Sequence, residues 1–442
     1  MKIAERIDRA IVLARTTAEL PLDGNSVTAR AKIVLRLAPR PRVVIEFDFP
    51  RSTHDQATAY NASNQIQTKH YLDIRISTGA SIRTLVGGEW RIGGRDSWCG
   101  GMLIPATQPV TALNEPARIY RCKFALINFP SLWGAHDIHR PTSDSSSIIV
   151  QRIRLHADPW SIELTGVDAV MSLDYQMRRI GGSAITHAGC VARTDGSGFT
   201  LEELEVILDA LHLFLSFVRG SYCGIGFLSG QDSQRKTVWK QWGTREVEPW
   251  HGPLSTWVCQ GESEMLSAVF GGFWQRFTDP VWSDTMSQVL RWYLRSNESS
   301  EPAVGIILTQ AALERLSHAK KDQGAGATGD RIAAALKEAR IDPHIPLQCS
   351  ALIALAQRRS WAHGPHAFVE MRNDLVHSKA KLGLVPVEAY AEVQSLGQWY
   401  IELMLLHLFG YSGRYVNRLE NRAGQGPTIQ HVPWAFMLNG KS

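Results

Sequence analysis

Hydrophobic and polar positions change their period part-way along the chain. Over residues 1–195 apolar residues come in short β-branched runs or alternate with polar ones. Lys32-Ile-Val-Leu-Arg-Leu and Arg42-Val-Val-Ile-Glu-Phe-Asp-Phe are two such runs, separated by Pro39 and Pro41. His70-Tyr-Leu-Asp-Ile-Arg-Ile alternates as a half-buried strand does. Gly87-Gly88 and Gly93-Gly94 read as turns around Glu89-Trp-Arg-Ile. Further strands are expected at Arg118-Ile-Tyr-Arg-Cys-Lys-Phe-Ala-Leu, Ser147-Ile-Ile-Val-Gln-Arg-Ile-Arg-Leu and Trp160-Ser-Ile-Glu-Leu. Strands at this spacing predict an antiparallel sandwich or barrel-like domain, with the topology left open.

The period shifts near residue 196. Thr200-Leu-Glu-Glu203 is a capping-box pattern, in which threonine and glutamate satisfy the first free backbone N–H groups of a helix. That helix is expected to run to about Val218 and stop near Gly220. A strand pair follows, Ile225-Gly-Phe-Leu and Thr237-Val-Trp-Lys-Gln-Trp, around the polar turn Gly230-Gln-Asp-Ser. Residues 243–260 show no period and read as a connection.

From about Phe270 onward the pattern is helical. Helices are predicted over Asp284–Arg295, Ala303–Leu316, Asp330–Arg340, Leu352–Arg358, Ala367–Ala380 and Pro386–Leu408. In the second, Val304, Ile307, Leu308 and Ala311 form the apolar stripe. The glycine-rich loop Gly324–Gly329 lacks the lysine and serine or threonine of a phosphate-binding P-loop. Short links between helices predict a bundle. The fold class is therefore α+β. Its expected segments are a β-rich domain over 1–195, a helix with a strand pair and connection over 196–270, a helical bundle over 271–420, and a peripheral tail over 421–442.

Composition narrows the picture only a little. The 442 residues suit two or three domains, and the formal charge of +5 is compatible with a nucleic-acid partner without requiring one. Six cysteines with no CxxC pair argue against a zinc ribbon and fit a reducing cytoplasm. No apolar run reaches the ~18 residues of a membrane span, and the N-terminus lacks the apolar core of a signal peptide. A cytoplasmic protein without a membrane partner is expected.

Chemistry concentrates in Phe368-Val-Glu-Met-Arg-Asn-Asp-Leu-Val-His377. Roughly one Arg-x-x-x-x-His match arises by chance in a chain of this composition, so the bare spacing carries little. Indeed Arg358-Arg-Ser-Trp-Ala-His363 repeats it, running into Gly364-Pro365, where the helix is expected to end. Three features favour the first match. Asn373 follows Arg372 and lies one turn before His377. Met371, Leu375 and Val376 supply an anchoring apolar side. Glu314, late in an apolar helix, is placed to hold Arg372. On an ideal helix Arg372 and His377 lie about 140° apart, so one helix converges them poorly.

With these residues in view, residues 275–410 resemble a HEPN domain, a small helical bundle of many prokaryotic ribonucleases. The likeness is to its ApeA-like branch from phage defence. That family carries an arginine and a histidine a few residues apart, commonly with asparagine directly after the arginine, as in Arg372-Asn373-Asp-Leu-Val-His377. Trp292-Tyr-Leu294 and Ala312-Leu-Glu314 also resemble the branch. The likeness covers about a third of the chain. It implies metal-independent RNA cleavage with no cofactor. His377 would move the proton, Arg372 would stabilise charge on phosphorus, and Asn373 would position one of them, with Glu314 and Asp374 in support. Arg358, Arg359, His363 and Lys379 would contact RNA. A homodimer through the bundle would build one composite site, and the β-rich domain would sense a trigger, for instance one derived from phage, or restrain activity. The alternative is a non-catalytic dimerisation bundle whose N-terminal domain binds a ligand or protein. A third reading places a metal near His136-Asp-Ile-His139.

Overall fold

The β-branched runs at the start of the chain form strands that close on one another. The computed structural model describes residues 8–22, 25–48, 71–76, 81–85, 91–92, 99–105, 118–141, 147–252, 254–319, 326–377, 385–420 and 428–435. Within these, β1 (Ile11–Leu22), β2 (Asn25–Arg36), β3 (Arg42–Asp48), β4 (Tyr71–Ile76), β5 (Ser81–Leu85), β6 (Arg91–Ile92) and β7 (Cys99–Pro105) make one antiparallel sheet, ordered β3-β2-β1-β4-β5-β7-β6. β3 also pairs with β7, Ile45 opposite Leu103, so six strands form a ring. Closure leaves fewer exposed edges for unwanted pairing. The turns expected at Gly87-Gly88 and Gly93-Gly94 lie outside the described residues.

A second antiparallel sheet takes β8 (Arg121–Ile127), β11 (Arg152–Ala157), β12 (Trp160–Gly166), β13 (Ile185–Arg193), β14 (Gly224–Gln231) and β15 (Thr237–Thr244), in the order β11-β12-β13-β8-β14-β15. β9 (Ile138–Pro141) and β10 (Ser147–Val150) pair separately. The run expected as one strand from Ser147 to Leu155 thus serves two sheets. Its break is Gln151, whose buried amide donates to Ser131 Oγ at 2.6 Å and accepts from the Leu132 N–H at 3.3 Å. β8 is buried on both faces. Cys122, Phe124 and Leu126 join the main core, while Ala125 and Ile127 meet Ile33, Leu35 and Val43 of the ring. Two-sided burial explains the unbroken apolar stretch Phe124–Ile127. Residue 195, expected as a boundary, falls inside this sheet, because β14 joins β8.

Helix α1 (Val170–Ile180) has no counterpart in the sequence-based reading. Val170, Leu173 and Met177 face inward, but exposed Met171, Tyr175 and Ile180 blur the period. The capping box of α2 (Leu201–Arg219) forms as expected: Thr200 Oγ1 accepts from the Glu203 N–H and Glu203 accepts from the Thr200 N–H. Gly220, at φ 81°, ends the helix in the left-handed region that glycine adopts freely. α2 is buried nearly all round and carries the core from the second sheet into the helices.

Those helices are α3 (Glu264–Thr278), α4 (Ser283–Glu298), α5 (Pro302–Ala319), α6 (Thr328–Glu338), α7 (Ser350–Arg359), α8 (Gly364–Val376) and α9 (Val387–Leu408). An antiparallel β-rich N-terminal region followed by a helical region is the α+β class the pattern predicts. On α5 the expected stripe is the wrong face. Val304 and Ile307 are exposed, and the core takes Ile306, Thr309, Leu313 and Leu316. The helix is apolar on most sides, so period alone does not choose a face. Thr309 can be buried because its hydroxyl bonds the Gly305 carbonyl at 2.6 Å. α5, α8 and α9 meet at Gly397, where a Cβ would come within 2.6 Å of both Phe368 and Thr309. The end of the chain also departs from the expected peripheral tail: Val432 and Trp434 are buried, beside the hairpin β16 (Arg414–Val416) and β17 (Ile429–His431). Among the described residues no helix is long and apolar enough to cross a membrane.

Candidate functional site

The motif helix α8 starts where the sequence suggests a helix should stop. Proline is well placed in the first turn, where its missing N–H has no intrahelical partner to lose. Gly364-Pro365 therefore opens α8, and His363, in extended conformation, is its N-cap. His363 Nδ1 accepts the His366 N–H at 3.1 Å, and His366 Nδ1 accepts the Ala362 N–H at 3.3 Å. Both rings must therefore carry their proton on Nε2. His363 Nε2 in turn faces Asp330 Oδ1 at 3.3 Å. The expected RNA contact at His363 is thus engaged as a helix cap.

Two turns on, the other end of α8 presents the motif. Arg372 Nη1 donates to Asn373 Oδ1 at 3.3 Å. Its Nε is buried without a hydrogen-bond partner, and no carboxylate of the described residues lies within ion-pair range. Elsewhere in the C-terminal half Arg295, Arg315, Arg331, Arg359, Arg414 and Arg418 all pair with carboxylates. His377 is the residue that ends the helix. Its N–H still reaches the Asn373 carbonyl at 2.8 Å, but its backbone has turned extended (φ −104°, ψ 112°) and it is exposed. The structure thus brings Arg372 and Asn373 together and leaves the imidazole outside the helix, with no hydrogen bond to a described residue.

The supporting residues are arranged differently from expectation. Asp374 forms an ion pair with Arg359, whose guanidinium also lies 5.3 Å from the Trp361 ring. Arg359 is thereby neutralised from within the chain. Burial, and then the Asp374 charge, push the nearby Tyr390 hydroxyl above its usual pKa, while Arg359 opposes them. Arg358 is exposed and reaches only the Ala354 carbonyl, at 3.4 Å. Lys379 lies outside the described residues.

Glu314 does not hold Arg372. It accepts from Gln310 at 2.9 Å and lies 3.6 Å from Arg331 and 3.8 Å from His318. Arg331 neighbours Asp330, the partner of His363, so Glu314 belongs to the start of α8. At 1.5 Å per residue the start is about 13 Å from Arg372. The sequence named Glu314 and His363 singly. Only the packing of α5, α6 and α8 joins them with His318, Asp330, Arg331 and His366 into one polar cluster. Near His136, Asp137 caps a turn, accepting from the Gly134 and Arg152 N–H groups. Among the described residues no group of three histidine, cysteine or acidic side chains could hold a metal.

Comparison with known proteins gives a relationship in two pieces. Residues 114–253 match the family described as the YopA central domain, and residues 279–428 the family described as the YopA C-terminal domain. The chain is similar to YopA proteins. A curated relative, the SPbeta prophage-derived uncharacterized protein YopA of Bacillus subtilis (strain 168), is 27% identical over 335 residues, covering 72% of each chain. No solved structure matches. The first matched segment runs from β8 through β15 and the second from α4 to the hairpin. The strand ring β1–β7 precedes both, and the Arg372–His377 motif lies within the second.

Proposed function

We propose that this chain is a metal-independent RNA endonuclease of the HEPN kind, acting in the cytoplasm as an antiviral, abortive-infection effector. One observation carries the reading: Arg372, bound only by neighbouring Asn373, keeps its charge free of any described carboxylate, beside an exposed histidine at the helix end. A guanidinium fork suits the oxygens of a phosphate in displacement. An exposed imidazole suits proton transfer near neutral pH. In the reaction the 2′-hydroxyl oxygen attacks the adjacent phosphorus while His377 takes its proton. The bond to the 5′-oxygen breaks and that oxygen takes a proton from water, leaving a cyclic phosphate and a 5′-hydroxyl. Arg372 stabilises the charged intermediate geometry, and Asn373 orients Arg372. No cofactor is invoked.

A second copy completes the site in this reading, because one chain leaves Arg372 and His377 without mutual contact. The outward stripe of α5, with Val304 and Ile307 exposed, supports a surface for association. The prophage origin of the relative supports a role in conflict between phages, with the β-rich region sensing the trigger. The same stripe also favours a second reading, a bundle that only dimerises while the N-terminal region binds a ligand or protein.

RNA from cells expressing wild type, Arg372→Ala and His377→Ala, sequenced at its ends, separates the two. Wild type is expected to generate new 5′-hydroxyl ends in cells and, once purified, to cut RNA also in EDTA, and both variants to lose cleavage while staying dimeric when purified. Loss of one charge-stabilising donor costs about 10²–10³ in rate. Cleavage undiminished in both variants, or absent from wild type, removes the nuclease reading.

A further inference from the structure

A second concentration of positive charge lies far from the motif in sequence. It surrounds Trp250, in the stretch read as a featureless connection. The guanidiniums of Arg178, from α1, and Arg219, the last residue of α2, lie 4.8 Å and 4.7 Å from the Trp250 ring centroid. All three residues line a cavity of about 390 Å³, within the usual range for small-molecule sites. Its remaining wall is mostly apolar, including Leu132, Val258 and Val416. Helices α1 and α2, the connection and the C-terminal hairpin meet here.

Arg219 is only 2% exposed, and no carboxylate of the described residues lies in ion-pair range of it. It donates to the backbone carbonyls of Tyr222, Glu248 and Pro249. Its Nε has no hydrogen-bond partner, and neither does the buried indole N–H of Trp250. Arg178 is paired with Asp174 at 3.0 Å, and Arg418, which also lines the cavity, is paired with Glu402. Among the described residues Arg219 thus has no direct counter-charge: the Glu298 and Glu248 carboxylates act on it from beyond ion-pair range, and both pair with Arg295. A buried, unpaired charge is costly unless an opposite charge joins it. Cation–π contact with Trp250 offsets only part of that cost.

We propose that this cavity binds a small organic anion, a carboxylate or phosphate group on an apolar body, with Arg178 and Arg219 as its charge partners. The indole N–H of Trp250 supplies a neutral donor beside them, and the apolar wall holds the rest of the ligand. A ligand here touches α1, α2, the connection and the hairpin together, so its binding stabilises their junction. The site is independent of the ribonuclease reading.

Calorimetric titration of the full chain with phenyl phosphate and with benzoate tests this, with benzyl alcohol as the neutral control and ionic strength held constant. Saturable binding of at least one of the two anions, one per chain, is expected, and the tighter of them identifies the head group. Arg178→Gln made together with Asp174→Asn, so that no buried carboxylate loses its partner, is expected to weaken binding about tenfold or more. Should that double variant fold poorly, the indole N–H resonance of Trp250 in wild type, assigned with Trp250→Phe, is expected to shift on saturation. Binding of neither anion, equal binding of benzyl alcohol, undiminished affinity in a folded double variant, or an unmoved Trp250 resonance overturns the proposal. RNA plays no part in these measurements, so their failure leaves the reading of Arg372 untouched.

Discussion

Arg418 and Arg372 belong to the same helical region but stand in opposite surroundings. Arg418 donates from Nε to Glu402 Oε2 at 3.0 Å and from Nη2 to Glu402 Oε1 at 2.5 Å. It also reaches Asn297, Gln398, Tyr293 and the Ser255 carbonyl. Tyr293 closes the network by donating to Glu402 at 2.5 Å. Glu402 is fully buried, and the arginine side chain is 3% exposed. Every donor of this guanidinium joins the C-terminal hairpin to α4, α9 or the connection. Among the described residues Arg372 has one neutral acceptor, on its own neighbour. The first arginine fastens the fold. The second fastens nothing, which is what a side chain reserved for an external anion should do.

Breaking the fastened arginine should have the largest effect on stability. Glu402→Ala leaves Arg418 buried without a counter-charge, and urea unfolding should show a loss of about 3–5 kcal/mol. Acid should act next, and away from Arg418 and Glu402. Burial pushes the pKa of His187 in β13 down to about 3 and that of His212 in α2 down to about 4. The unfolded chain binds these protons below the ordinary value of 6.5, and the folded chain does not. Their cost is therefore absent above pH 6.5 and grows as pH falls towards 4 and 3. At pH 5 it is on the order of 2 kcal/mol for each histidine, readable as a drop in urea midpoint between pH 7 and pH 5. An unchanged midpoint would mean that the histidines are protonated in place.

Gly397→Ala probes the junction that carries the motif helix. A methyl there collides with Phe368 and Thr309, and a loss of about 1–3 kcal/mol is expected. The smallest effect should come from Arg372→Ala, below about 1 kcal/mol, since only the packing of the aliphatic stem is lost. A loss as large as that of Glu402→Ala would place Arg372 among the fasteners and end the contrast. Minimal loss of stability with complete loss of RNA cleavage would sharpen it.

Local chemistry was legible from the sequence. The Thr200–Glu203 capping box, the stop at Gly220 and the strand pair after it need only neighbouring residues, and all formed as expected. Most helix limits in the second half were found in the same way. Failures came where a local signal has two meanings. Gly364-Pro365 can close one helix or open the next, and here it opens α8, with the His363 ring accepting the His366 N–H in the first turn. The apolar residues of α5 can face either way, and burial of Thr309 through its bond to Gly305 decided the face. At the candidate site, the sequence supplied Arg372, Asn373 and His377 as a string, but it assigned Glu314 to the wrong end of α8 and took Arg359 to be free.

By itself, then, the sequence determined the elements, the α+β order and the stretch in which a phosphate-directed arginine could lie. Tertiary structure alone decided which charges remain available. Asp374 cancels Arg359, Glu402 cancels Arg418, and Arg331 draws Glu314 away, while among the described residues Arg372 and Arg219 form no ion pair. The physical reason is range. Capping and periodicity act over a few residues, but the partner of a long charged side chain comes from whichever helix packs alongside, 15 residues away for Arg359 and Asp374 and 16 for Arg418 and Glu402.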